Sequence, residues 1–132
     1  MILDTSVLIW FHFGDRQRLG ETARRAIDEA WTNGDAAVSA ITFWEVALLH
    51  RKQRLHFHVE LGSWRAGLLD NGLVEIPIDG DIGIRSVLLS DFHDDPADRL
   101  IVATALTGHR LVTSDHKILR WAGNLSRLDA RK

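Results

Sequence analysis

Cysteine is absent from this chain. No disulfide framework and no thiolate metal site can form, which fits a reducing compartment. No apolar run is long enough to span a bilayer. The opening "MILDTSVLIW" holds seven apolar residues in ten, yet it carries neither the basic segment nor the cleavage site of an export signal. The expected setting is the cytoplasm, with no membrane role. Neither sign of charge is in large excess. A net charge of −2 exerts no general pull on nucleic acid, so a polyanionic partner would have to be met by local basic groups or bound cations. Internal repeats, low-complexity tracts and linkers are also missing. What remains is 132 residues, 45% hydrophobic and 26% charged, which suits one globular domain over residues 1–132 and is too little for two.

The apolar pattern alternates between strand and helix. "MILDTS" reads as a buried strand. "GETARRAIDEAWTNG" reads as a helix, with Ala23, Ile27, Ala30 and Trp31 on one stripe and Gly34 as a stop. "DAAVSA" is a short strand, and "TFWEVALLHRK" a helix with a basic end. "HVELGSWRAGLLDNG" is a helix weakened by Gly62 and Gly67. "LVEIPI" is a strand, and "DGDIGIRSVLLSDF" a helix after a turn. "DPADRLIVATALTG" is the strongest helix, with Pro96 just inside its start and Gly108 just past its end. "RLVTSD", "HKILRWAG" and "NLSRLD" complete the chain as strand, short helix and strand. This alternation predicts an α/β sandwich around a mostly parallel sheet.

Four acids fall at comparable places on that map. Asp4 ends the first strand, and Glu45 lies near the start of the helix after the second. Asp98 lies in the first turn of the strongest helix, and Asp115 follows the strand "RLVTS". In a parallel sheet the C-terminal strand ends and the following helix starts share one edge, where ligands bind. Four carboxylates distant in sequence are therefore candidates for one cleft. Such pooled negative charge is stable only if protons or cations offset it, and oxygen-only ligands point to Mg²⁺ or Mn²⁺ rather than zinc.

Each acid also has a plainer reading. Thr42-x-x-Glu45 has the spacing of a capping box. Asp95 suits a helix N-cap, Pro96 the first helical position, and Asp98 the favourable end of the helix dipole. Asp115 can cap the helix that follows it. Asp4 resists this reading, because a strand interior needs no cap. Asp98 partly resists it, because "LIVATAL" is apolar nearly all round and its helix must be buried.

In order, "LDTSVLI", "ITFWEVALL", "DPADRLIVATAL" and "LVTSD" resemble the successive motifs of PIN-domain ribonucleases, most closely the VapC-type toxins of bacterial toxin–antitoxin pairs. The motifs cover about a quarter of the chain, and their order runs through nearly all of it. The resemblance implies a three-layer α/β/α fold, metal-dependent cleavage of RNA and a small antitoxin as partner. It carries the acidic-site role onto Asp4, Glu45, Asp98 and Asp115, each a candidate catalytic and metal-binding residue, with Asp4 and Asp98 as direct ligands of one or two Mg²⁺ or Mn²⁺ ions. Thr5 or Ser6, and Thr113 or Ser114, become polar supports. Two features depart from the pattern: Ala97 stands where the family often has a bulky apolar residue, and Gln53 to Phe92 carries no matching motif.

Other constellations compete for attention. Seven histidines are present, but no H-E-x-x-H. His56 and His58 lack a third ligand nearby and read as surface residues. The run "HRKQRLHFH" is the one dense basic segment. It reads either as a solvated helix end or as a phosphate track in which Arg51, Lys52 and Arg54 contact RNA. Trp10, Trp31, Trp44, Trp64 and Trp121 read as core or partner-facing residues. "SVLIWFHF" has more large apolar residues than one buried stripe needs, so a homodimer and an antitoxin groove near Trp10 and Phe11 are expected. Two other function classes stay open. "LDTS" could present an aspartyl nucleophile for phosphatase or phosphotransfer chemistry, although Ser6 stands where a second Asp would be needed. A noncatalytic binding module with a relic acidic site is the other.

Overall fold

The computed structural model describes all 132 residues. Its strands are β1 (Ile2–Leu3), β2 (Ala37–Ser39), β3 (Val74–Ile76), β4 (Leu111–Thr113) and β5 (Arg127–Asp129). They form one sheet in the order β3-β2-β1-β4-β5, and all four pairings are parallel. The helices are α1 (Thr5–His12), α2 (Glu21–Thr32), α3 (Ile41–Arg51), α4 (Leu61–Asp70), α5 (Gly80–Val87), α6 (Pro96–Ala105) and α7 (His116–Arg120). No helix is long and apolar enough to cross a membrane.

Strand periodicity explains the layers. Successive side chains on a strand point to opposite faces. Leu3, Val38 and Val112 pack with Val7, Leu8, Ile27 and Leu68 on one face, while their chain neighbours Ile2, Ala37 and Leu111 pack with Ile101, Val102 and Ile118 on the other. The result is the expected α/β/α sandwich, with α1, α2 and α4 covering one face and α6 and α7 the other. Because both faces are covered, the central strands need continuous apolar character rather than alternation. β1, β2 and β4 are buried at every position.

Two expectations about helix starts are corrected. β1 stops at Leu3, and Asp4 is not inside a strand. It is the N-cap of α1, with extended backbone and a side chain that accepts from the Thr5 amide. The strand and the first helix share one apolar run, which concealed the boundary. Second, Thr42 and Glu45 form no capping box. Ala40 is the N-cap of α3 and has no side-chain cap, and both polar groups make tertiary hydrogen bonds instead. The other start and stop signals hold. Asp95 caps α6 with Pro96 in its first turn, and Asp115 caps α7. Gly34 and Gly108 take the positive φ angles of +76° and +118° that follow helix ends.

This topology also makes the cleft. From β1 the chain builds outward to β2 and β3 on one side, and to β4 and β5 on the other. The order reverses between β1 and β4, so the segments leaving these strands diverge and open a crevice at their C-terminal ends. Asp4 follows β1 directly, and Asp115 follows β4 by two residues.

Candidate active site

Asp4 is the innermost acid, 7% exposed. Its Oδ1 accepts from the Thr5 amide at 2.8 Å, and its Oδ2 accepts from Thr113 Oγ1 at 2.7 Å. Thr113 Oγ1 in turn accepts from the Asp115 amide at 3.1 Å. One hydroxyl thus ties the end of β4 to the carboxylate after β1. A second threonine sets Glu45: Thr5 Oγ1 donates to Glu45 Oε1 at 2.6 Å and lies 3.0 Å from Thr42 Oγ1. A hydroxyl has one proton. With that proton on Glu45, Thr42 is the donor to Thr5; Thr42 itself lies inside α3, two residues past the Ala40 N-cap.

Asp98 stands across the crevice in the first turn of α6. Asp95 Oδ1 caps the amides of Ala97 and Asp98 at 3.0 and 3.2 Å. Asp98 Oδ2 lies 2.7 Å from His93 Nε2. Asp115 Oδ1 accepts from the Lys117 and Ile118 amides at 2.8 and 3.1 Å. Capping and site placement therefore coincide at Asp4 and Asp115. Asp98 itself serves as no cap.

All four predicted acids line one cleft of about 310 Å³, together with Asp95, Thr5, Ser6 and Ser114. Thr113 lies behind Asp4, fully buried. Arg51, Lys52 and Arg54 do not line the cleft. They are exposed at the far end of α3, with Lys52 about 10 Å along the helix axis from Glu45 at 1.5 Å per residue. Beyond the cleft, a polar groove continues past His93, Asp94 and His116. Sequence reasoning gave His93 no role and Asp95 only a cap. His93 lies in the loop before α6, where no periodicity marks it. Its one signal was its place in the acid-rich run "HDDPAD".

The electrostatics follow from this crowding. Burial pushes the Asp4 carboxyl up from 3.8 to about 6, against the lowering effect of the Thr113 hydrogen bond, with Asp98 and Asp115 adding to the rise. Burial likewise raises Glu45 to about 7, and the charges of Asp4 and Asp98 contribute. Asp98 is raised by desolvation, offset in part by His93. These carboxylates are costly to ionise together, and a cation among them would remove that cost. No three of the Asp, Glu or His side chains already meet around a single point. The donor set is nonetheless all oxygen, with lone pairs left on Asp4 and Asp98 after the hydrogen bonds above, so it suits a hard divalent ion.

The remaining predicted features are spread over the surface. On α1, Val7 and Leu8 are buried and Trp10 and Phe11 partly buried. Phe11 stacks on Trp31 at 5.5 Å. With His12, Trp64 and Leu68 they line an open groove of about 430 Å³ between α1, α2 and α4. Trp64 is buried and Trp44 is exposed. His56 and His58 are exposed, as expected. The most exposed large aliphatic residues lie instead at α5: Ile84, Val87 and Leu88 are 64%, 76% and 71% exposed.

Comparison with known proteins gives a family and a fold. The family model for the PIN domain matches residues 1–124. Over 120 residues the chain is 36% identical to Ribonuclease VapC22 of Mycobacterium tuberculosis, spanning 89% of this chain and 88% of that protein. Among solved structures, a chain of a toxin–antitoxin complex from Klebsiella pneumoniae superposes with a TM-score of 0.64 at 26% identity, over 98% of this chain and 96% of that one. A chain of VapBC2 from Rickettsia felis, bound to a fragment of promoter DNA, superposes at 0.66 over 96% of both chains; at 16% identity it speaks for the fold alone.

Proposed function

The chain belongs to the PIN-domain family, and from that membership we propose that it is a divalent-metal-dependent ribonuclease, the toxin of a toxin–antitoxin pair acting in the cytoplasm. One observation carries the reading: Asp4, Glu45, Asp98 and Asp115, scattered over the whole chain, line one cleft. The ribonuclease activity named for the relative from M. tuberculosis supports it. In this reading Asp4 and Asp98 hold one or two Mg²⁺ or Mn²⁺ ions, with Glu45 and Asp115 completing the set directly or through water. When bound, such an ion offsets phosphodiester charge and eases deprotonation of water. The chain's own groups do the rest. Thr113 and the Thr5 amide fix Asp4 in one orientation. Thr5 holds one oxygen of Glu45, which leaves Oε2 to orient the attacking water and accept its proton. Ser6 and Ser114 supply hydroxyls at the cleft wall. Exposed Arg51, Lys52 and Arg54 take flanking phosphates.

The Asp4 environment argues against an aspartyl-phosphate mechanism. An aspartyl nucleophile of that kind works with a second carboxylate two positions on, and Ser6 stands there. The partners belong to the same proposal. The groove lined by Phe11, Trp31 and Trp64 suits an apolar segment of a small antitoxin, in keeping with the toxin–antitoxin complex to which the chain is similar. The α5 patch suits a second copy of the chain.

Purified protein should cleave structured RNA when Mg²⁺ or Mn²⁺ is supplied, and EDTA should stop it. Asp98→Asn should abolish cleavage with an unchanged circular dichroism spectrum. Full activity of Asp98→Asn, or of wild type in EDTA, would refute the assignment.

A further inference from the structure

One side chain on the cleft rim has no part in the scheme above. His93 Nε2 lies 2.7 Å from Asp98 Oδ2, and the two side chains are only 19% and 16% exposed. The packing behind that histidine fixes its position. Its ring stacks on Phe92 at 4.4 Å with an interplanar angle of 25°. Phe92 is buried and meets Trp121 edge-on at 5.5 Å. Trp121 Nε1 donates to the Ser90 carbonyl at 2.8 Å.

The backbone is held as firmly as the ring. Arg99 follows Asp98 in α6. Its Nε donates to the His93 carbonyl at 2.8 Å, its Nη2 to the Phe92 carbonyl at 2.6 Å and its Nη1 to the Ser86 carbonyl at 3.0 Å. The guanidinium also lies 5.6 Å from the Phe92 ring centre. The α5–α6 connection lacks regular hydrogen bonding of its own, and the rigid five-donor fork of one arginine supplies it. Asp98 and Arg99 thus act as neighbours on one helix turn: one enters the cleft, and the other fixes the loop whose histidine grips it.

We propose that His93 is the positioning residue for Asp98. Its Nε2–H holds Oδ2 and leaves Oδ1 as the oxygen offered to the cleft. Both the Nε2–H neutral tautomer and the imidazolium donate at that atom, so the role does not depend on the charge of His93. A carboxylate that must hold a cation gains affinity when its rotamer is fixed beforehand, and removing such an outer partner typically weakens metal binding or activity about 10- to 100-fold. This inference rests on the reading of Asp98 as a cation-binding group of a nuclease.

The test compares His93→Phe, His93→Gln, His93→Asn and Asp98→Asn. Mn²⁺ alone is titrated by calorimetry, melting is followed in EDTA, and kcat and KM are measured on a labelled structured RNA cleaved by wild type. His93→Phe keeps the stack on Phe92 but removes the donor. It should melt near wild type in EDTA, bind Mn²⁺ about 10-fold or more weakly, and lose kcat with little change in KM. His93→Gln places an amide N–H where Nε2 stood and should recover most of both. His93→Asn places its amide at the Nδ1 position and should not. Equal Mn²⁺ affinity in wild type and His93→Phe, or equal behaviour of the Gln and Asn variants, would overturn the proposal. If Asp98→Asn loses Mn²⁺ binding while His93→Phe keeps it, only the role of His93 fails. If Asp98→Asn binds Mn²⁺ like wild type, the metal-site reading fails with it.

Discussion

Replacing Asp4 by Asn should stabilise the metal-free protein, and the size of the gain should depend on pH. Asp4 is buried, and its carboxyl is pushed from 3.8 to about 6. At 1.36 kcal/mol per pH unit, holding it ionised in the fold costs ~3 kcal/mol. The sign follows from proton counts. Below 3.8 the group is protonated in both the folded and unfolded chain, and no penalty exists. Between 3.8 and about 6 the unfolded chain ionises first, so wild-type stability falls as pH rises. Above about 6 both states are ionised and the full penalty stands. Glu45, raised to about 7, adds a loss of the same sign.

Asn removes the charge and keeps the shape. It caps a helix as well as Asp does, so the bond from the Thr5 amide survives. Its amide nitrogen faces Thr113 Oγ1, a donor in wild type, and that mismatch costs about 1 kcal/mol. The net expectation is a gain of about 2 kcal/mol at pH 8, shrinking to nothing near pH 4.5, where only about a third of the penalty remains. Urea unfolding in EDTA at both pH values measures it. Manganese should reverse the order: an ion that binds only the folded state adds about 2.7 kcal/mol at a hundredfold excess over Kd, and Asp4→Asn should gain little. An Asp4→Asn protein less stable than wild type at pH 8, or a difference equal at the two pH values, would refute the account of a strained acid cluster.

Three further outcomes follow from the surface. Combined Arg51→Ala, Lys52→Ala and Arg54→Ala should flatten the salt dependence of RNA binding by about 2 in the log–log slope, at ~0.7 per phosphate contact on a single strand; an unchanged slope would remove these residues from the RNA path. Gly67 lines the aromatic groove, and a Cβ built there meets no atom within 4 Å. Gly67→Ala should therefore stabilise α4 by about 0.5–1 kcal/mol, whereas Gly67→Glu should fold yet fail to hold a co-expressed antitoxin in a pull-down. Leu88→Asp should convert a dimer into a monomer by analytical ultracentrifugation, and a persistent dimer would place the second copy elsewhere.

The legible parts of this molecule were those with a local signature. The α6 helix announces itself through Asp95, Pro96 and Gly108, and strand–helix alternation suffices for the sandwich. Asp98 and Asp115 could be placed because their helices begin where the pattern says. The less legible parts depend on distant partners. The spacing of Thr42 and Glu45 satisfies a capping box, but Thr5, 37 and 40 residues away, claims both groups. A two-residue strand running straight into an apolar helix has no periodicity of its own, so the cap role of Asp4 was hidden. Arg99 was the overlooked clue beside the site: a guanidinium in a buried apolar helix needs partners, and those partners are the carbonyls of the loop that carries His93.

The central strand is enclosed by a partner far along the chain. Asp4 meets Thr113 across a sequence separation of 109 residues, and Ile2 and Leu3 pair with Leu111 and Val112. A chain that stops short of Thr113 has the first carboxylate but neither the hydroxyl that orients it nor Asp115 beside it. Contacts this distant form slowly, since the intervening chain must first be closed into a loop. The acid cluster is thus set by topology: it is complete only once β4 has joined β1.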